Sequence, residues 1–381
     1  MEAHSTQTLP EKNKDQFINI TLGEASWLFS RLGLTAGELS PLKNIAVTAS
    51  SDADRSTLAG KGLLDSAGNA QAKFAECMKT AAKPGCEMVI DVGNATILNF
   101  MRVYFGPSGS LAGCTPVDAS AFRLAPELRL EDILITILEG LNLNESIKEK
   151  PVSFELSQKG LLALAALIDA TRQNQLRSLL NRNDNVGIQV DFMDIWACLQ
   201  RGAVEDDFRW LTGVIRSRLP DEMTLSQNTL SEGLAEITAA GLAVRDADSW
   251  GMADERIEAL TELMTPLNFG SIFARSVSDS ETVRLLLIRC PTSLWAVNFR
   301  VKSGKISVFT LSTDRLGTIV AEIVARLMVI GQRAPKPNPS VPPPVPSAST
   351  AQKTVKKFCP ECGKPLKPDA RFCAECGRGI I

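Results

Sequence analysis

Histidine is nearly absent: the 381-residue chain has one, His4, in a polar opening segment. The folded part therefore has no histidine general base, histidine metal ligand or Ser-His-Asp triad. Also missing are the glycine-rich loop ending in Lys-Ser/Thr that cradles phosphates and the strand-borne glycine pattern that binds dinucleotides. Gly60-Lys61 lacks the glycine frame of the first motif and reads as a helix terminus. No positively charged N-terminal region precedes an apolar run, as a secretory signal requires. The apolar helical stretches are too short or too interrupted to span a bilayer. The expectation is a cytoplasmic protein without a membrane span.

Net charge is scarce as well, at −2, but it is unevenly distributed. From Lys353 to Ile381 seven Lys or Arg face three Asp or Glu, a local +4 that leaves −6 for the rest. Four thiolates on one divalent zinc would lower the tail to +2. That is too weakly basic to make nucleic acid the default partner, and an acidic body has no electrostatic reason to approach phosphates. An apolar share of 44% is that of a globular protein, and the length suits two domains or one large body with an appendage.

Five of the nine cysteines, Cys77, Cys86, Cys114, Cys198 and Cys290, are widely spaced and form no local redox pair. The total is odd, so these five read as buried thiols and not as a disulfide scaffold. The other four stand in Phe358-Cys359-Pro360-Glu361-Cys362-Gly363 and Phe372-Cys373-Ala374-Glu375-Cys376-Gly377. Each Cys-x-x-Cys-Gly is a metal knuckle: the spacing brings two sulfurs onto one ion, and glycine permits the turn that follows. Ten residues separate the pairs, enough to fold one knuckle onto the other. Cys359, Cys362, Cys373 and Cys376 are the candidate ligands of one structural Zn2+ ion, with iron as the less suited metal. Over residues 356–379 the tail resembles the zinc-ribbon domain found at the end of many bacterial proteins. The resemblance implies structural zinc on these four cysteines and no activity of its own. Phe358, Leu366 and Phe372 cover the site, and Phe372 is also a candidate partner anchor. Lys356, Lys357, Lys364, Lys367 and Arg371 read as a solvated face, with RNA contact as the alternative.

The chain divides into a flexible N-terminus at 1–16, a first lobe at 17–143, a second at 151–330, a linker at 333–354 and the ribbon at 356–381. Seven prolines between Pro335 and Pro346 keep the linker extended. The lobes read as distant repeats. Amphipathic helices lead each, Leu22 to Leu32 and Leu156 to Ile168. A helix then stops at a glycine turn in both, Leu58-Ala59-Gly60-Lys61-Gly62-Leu63-Leu64 and Ile237-Thr238-Ala239-Ala240-Gly241-Leu242-Ala243. Strands follow at Glu87–Ile90, Asn99–Phe105, Ser110–Cys114 and Ala119–Leu124, then a helix from Pro126 to Leu141. The second set is Ser271–Ser276, Thr282–Arg289, Ser293–Val301 and Lys305–Thr310, then a helix from Thr313 to Ile330. The predicted fold is α+β: two repeated lobes, each with an antiparallel sheet and a closing helix. In the last helix Leu316, Ile319, Val320, Ile323, Val324 and Leu327 form the face to be buried.

The second lobe also carries a helical insertion, with apolar periodicity at Leu161–Leu180, Val190–Leu199 and Asp206–Leu219. A helix at Leu225–Leu242 and a polar hairpin through Trp250 complete a segment, 190–265, that resembles a winged helix. Its would-be recognition stretch, Thr224 to Ala240, has no Lys or Arg, so protein contact suits it better than DNA. Trp250 is the candidate partner contact, against packing at the base of the wing. Asp191 with Asp194, and Glu205 with Asp206 and Asp207, read as helix caps or solvated acids before they read as metal ligands.

In repeat order and size the body resembles the pseudo-twofold, two-lobed chaperones of type VII secretion, whose members bind paired helical substrates. The ribbon and the wing-like segment depart from that arrangement. The reading that results is a noncatalytic protein-binding adaptor or chaperone with a structural zinc module. The alternatives are a nucleic-acid-associated transcription regulator and an enzyme with an acidic or cysteine-based site.

Overall fold

Strand β2 (Cys86–Gly93) alternates between two environments. Cys86, Met88, Ile90 and Val92 are buried in one core, and Glu87, Val89 and Asp91 project from the opposite face. In the computed structural model β2 pairs antiparallel along its length with β10 (Asn268–Ser276), from Cys86 opposite Ser276 to Gly93 opposite Phe269. Outward from this seam run β3 (Leu98–Phe105), β4 (Leu111–Pro116), β5 (Ala121–Ala125) and β1 (Ile18–Thr21) on one side. On the other run β11 (Val283–Arg289), β12 (Leu294–Phe299), β13 (Ile306–Leu311) and β6 (Ser153–Leu156). The two predicted sheets are thus halves of one ten-stranded antiparallel sheet, each half repeating the other's order.

The structure describes residues 17–43, 51–94, 96–118, 120–182, 189–204, 208–219, 223–277, 283–299 and 304–332. The expected N-terminal segment 1–16, linker 333–354 and ribbon 356–381 lie outside them. The chain separates into the unit Met1–Pro335, which holds every element described here, and the unit Lys336–Ile381. Among the described residues no helix is long and apolar enough to cross a membrane.

One face of the sheet is closed by α4 (Leu130–Gly140) and α10 (Thr313–Gly331), each following the last long strand of its half. Ile133 and Ile137 of α4 and Leu316, Val320, Val324 and Leu327 of α10 share a core with the inward residues of β2, β3, β10 and β11. Ile319 and Ile323 of the predicted face lie at its margin, partly buried. The opposite face has two separate cores. Helices α1 (Leu22–Arg31), α2 (Asp52–Gly60) and α3 (Ala72–Ala82) cover the first half. Helices α5 (Gln158–Leu180), α6 (Phe192–Val204), α7 (Leu211–Arg216), α8 (Gln227–Ala239) and α9 (Asp254–Glu262) cover the second. The separately predicted helices at Leu156–Ile168 and Leu161–Leu180 are the single α5. The short β7 (Val190–Asp191), β8 (Ala243–Asp246) and β9 (Ser249–Met252) form the wing-like sheet, in the order β7-β9-β8.

The repeat extends to turn geometry. Gly62 (φ 70°) and Gly241 (φ 67°) end α2 and α8 in the left-handed conformation that glycine adopts without strain. In both, the next residue's N–H reaches back five positions: Leu63 to Leu58 O at 3.0 Å and Leu242 to Ile237 O at 2.9 Å. A bridge from Leu64 to Ala70 then precedes α3, as the longer β8–β9 hairpin precedes α9. The wing is an enlarged copy of a feature present in the first lobe, and β7, α6 and α7 are what has been added.

Edge strands β1 and β6 were not expected; each has only four residues, too few to show a period. Each leads directly into a capped helix, but the caps differ. Thr21 and Glu24 form a reciprocal capping box on α1, with Thr21 N–H to Glu24 Oε2 at 2.7 Å, and Lys61 holds the carboxylate at 2.7 Å. In α5 the equivalent N3 position is Gly160, and the carboxylate comes from Glu236 of α8, which accepts the Ser157 N–H at 2.7 Å. A Cβ on Gly160 would stand 2.6 Å from Glu236 Oε2, so glycine is what admits the foreign carboxylate.

Asp169 ties the added helices to α5. It is 2% exposed and accepts the N–H groups of Leu211 at 3.0 Å and Thr212 at 2.8 Å, together with the Thr212 hydroxyl at 2.6 Å. Burial pushes its carboxyl up to about 6, outweighing these bonds and the charge of Arg172. Between the ordinary value near 3.8 and about 6 the folded state therefore holds more proton than the unfolded one. Stability through this group is full below that window and falls as pH rises through it, by no more than about 3 kcal/mol. Urea titrations of the wild type should show this decline between about pH 4 and 6, and Asp169→Asn should flatten it.

Candidate functional site

The two cores on the second face leave the middle of the seam between them. The first ends at Tyr104 of β3, and the second at Phe269 of β10 and Leu286 of β11. Between them lie side chains that strand register sets in rows. Arg102, Val89, Phe273 and Arg284 are successive neighbours across β3, β2, β10 and β11. Tyr104, Glu87 and Arg275 form the row on one side, and Phe100, Asp91 and Ser271 the row on the other. Val89, Phe100 and Phe273 are only half-buried, and the strip runs out to Leu98 and Ile97 at the β2–β3 turn, which are 36% and 46% exposed.

Charges frame this apolar floor. Arg275 pairs with the buried Glu87 at 3.0 Å, and Arg218 reaches from the end of α7 to Asp91 at 2.8 Å. Ser271 donates its hydroxyl to the same Asp91. The Arg102 guanidinium lies 5.2 Å from the Phe100 ring centre, and that of Arg284 is 5.2 Å from Phe273. Four arginines, Arg102, Arg218, Arg275 and Arg284, stand against the two carboxylates Glu87 and Asp91, so these residues together are net positive. The Nε atoms of Arg102 and Arg218 are buried without a hydrogen-bond partner among the described residues. Buried donors of this kind call for an acceptor. Aromatic rings with guanidinium groups stacked on them, half out of water, have the composition of the energetic centres of protein interfaces.

The residues singled out from sequence fall elsewhere. Cys359, Cys362, Cys373, Cys376 and Phe372 lie outside the described residues. Trp250 is 9% exposed, its ring 6.0 Å from that of Phe192 and capped by Arg245 at 5.0 Å. What it packs is the base of the hairpin. The would-be recognition helix α8 lies on α5: Glu232 pairs with Lys159, Glu236 caps α5, and Gly233 lies against the Lys159 backbone. Asp191 accepts the Asp194 N–H at 2.8 Å as the cap of α6, and Asp194 stands 3.7 Å from Arg177. Glu205, Asp206 and Asp207 lie outside the described residues.

The five body cysteines are free and buried. Burial pushes the thiols of Cys77 and Cys290 up to about 12 and those of Cys86 and Cys198 up to about 11, and raises that of Cys114 as well. Such thiols hold their protons near neutral pH and make poor nucleophiles.

Sequence reasoning missed the floor. Its residues are single charges and rings at alternate positions of four strands, gathered by a pairing between residues some 180 apart. One signal was present: Glu87, Asp91, Arg102, Arg275 and Arg284 interrupt strands otherwise apolar enough to be covered on both faces.

Residues 358–380 match the zinc-ribbon domain family. No curated protein matches the chain in sequence. Among solved structures the chain is similar to the type VII secretion system chaperone EspG5 of Mycobacterium tuberculosis, in complex with the PE25-PPE41 dimer. The identity is 11% over 80% of this chain and 94% of that one, with a TM-score of 0.41.

Proposed function

We propose that the protein is a noncatalytic adaptor or chaperone that binds another protein on the floor of its central sheet and carries a structural zinc module at its C-terminal end. The observation that carries this reading is the half-buried Phe100–Val89–Phe273 strip, framed by Arg102 and Arg284, at the seam of two otherwise covered half-sheets. A partner segment that adds apolar side chains and a carboxylate would cover the rings and give the Arg102 and Arg218 donors an acceptor. Nucleic acid fits less well, because Glu87 and Asp91 lie among the arginines and α8 has no basic residue. The wing-like segment then serves as a packing and protein-contact element. A noncatalytic role agrees with body thiols suppressed by burial and with Asp191 and Asp194 engaged in a cap and an ion pair. Free body cysteines suit a reducing cytoplasm.

The four thiol donors of the tail suit zinc by their chemistry: soft thiolates in two Cys-x-x-Cys pairs complete a closed tetrahedral shell. Cys359, Cys362, Cys373 and Cys376 would hold the ion, which supplies folding free energy and no reactive position.

Retrieved from its native cells, the full chain should retain a recurrent protein partner. Phe273→Glu and Arg102→Glu should each reduce that recovery about tenfold or more, the scale of an interface centre, while Lys305→Glu leaves it unchanged. Loss of the partner on truncation after Gln332 would move recognition to the ribbon, and nuclease-sensitive DNA or RNA in its place would overturn the adaptor reading. Elemental analysis should find about one zinc per chain, with Cys362→Ser and Cys376→Ser each abolishing it.

A further inference from the structure

Far from the seam in sequence, α1 and α2 border a crevice of about 420 Å3 lined by Trp27, Ser30, Arg31, Asp52, Arg55 and Gly68. That volume is within the range of small-molecule sites. Two guanidinium groups share it. Arg31 Nη2 donates to Asn69 Oδ1 at 3.3 Å, while Arg55 lies so close over Gly68 that a Cβ there would stand 2.5 Å from Nη2. Gly68, at φ 76°, gives Arg55 its seat for two reasons, the missing side chain and the left-handed turn. Among the described residues no ion pair joins either guanidinium to a carboxylate, Asp52 of the same crevice included. Three other arginines have carboxylate partners: Arg218 with Asp91, Arg275 with Glu87 and Arg315 with Glu149.

Two like charges lining one concavity repel, and an anion between them converts that repulsion into attraction. Guanidinium forks match the oxygen spacing of phosphate and carboxylate. We propose that this crevice binds a small molecule bearing a phosphate or carboxylate group. Arg31 and Arg55 hold the oxyanion, the Trp27 indole forms the apolar wall, and Asp52 accepts from a hydroxyl or amino group on the ligand. The site is separate from the floor, so the protein would bind a small ligand as well as a protein partner.

Calorimetric titration of the full chain with inorganic phosphate, and separately with succinate, tests this. Saturable millimolar binding of at least one is expected, and the one that binds tells phosphate from carboxylate. Arg31→Gln and Arg55→Gln should each weaken it about tenfold, the loss of one charge-assisted contact, with thermal melting unchanged because both side chains are exposed. Gly68→Ala keeps both arginines but displaces Arg55, and should weaken binding likewise. No saturable binding of either anion, or wild-type affinity retained in both arginine variants, would overturn the proposal.

Discussion

The antiparallel pairing of β2 with β10 is the constraint on which the rest of the molecule depends. Each half-sheet alone would end in a long strand with a free edge, a template for unwanted pairing. Pairing the two edges closes both, from Cys86–Ser276 to Gly93–Phe269. It also lets α4 and α10 cover one continuous core beneath the seam. The opposite face gains no such shared cover, because the helices there belong to separate cores, one per half. A central floor that belongs to neither of these cores is therefore a consequence of the topology, and its arginines, carboxylates and half-buried rings are what make it compatible with water.

The two halves solve the same local problems with different residues. A carboxylate receives the first N–H of both leading helices, but Glu24 supplies it from within α1 and Glu236 from the neighbouring α8. The second solution needs Gly160, since a side chain there would occupy the carboxylate's place. It also couples α5 to α8, while Asp169 couples α5 to α7. The long α5 is thus tied to α8 by a carboxylate that α8 supplies and to the added α7 by its own buried Asp169, and the pH sensitivity expected of Asp169 is the cost of the second tie.

Much of this was legible in the sequence, for stated physical reasons. Alternation in Cys86–Val92 and the i, i+4 spacing of Leu316, Val320 and Val324 reveal a strand and a buried helix face without knowledge of their neighbours. The paired glycine turns reveal the repeat, because Gly62 and Gly241 answer the same backbone requirement. The Cys-x-x-Cys pairs are legible for a similar reason: ligand spacing is local. What was hidden is what distant chain segments decide. The four-residue β1 and β6 are fixed by their partners β5 and β13, and the fusion of two sheets into one by a pairing with no local signature. Trp250 at its hairpin admits both contact and packing in the sequence, and it is Phe192 from the added helices that packs against it. The floor was invisible because Phe100 and Phe273, read singly, look like ordinary core residues of ordinary strands.

The central claim is that a polypeptide covers the strip between Arg102 and Arg284. A photoreactive benzophenone side chain placed at Phe100, activated in living cells, tests it most directly. One dominant cross-linked protein is expected, absent when the same group is placed at the exposed Lys305. Cross-links to nucleic acid, or none beyond those of the Lys305 control, would contradict it.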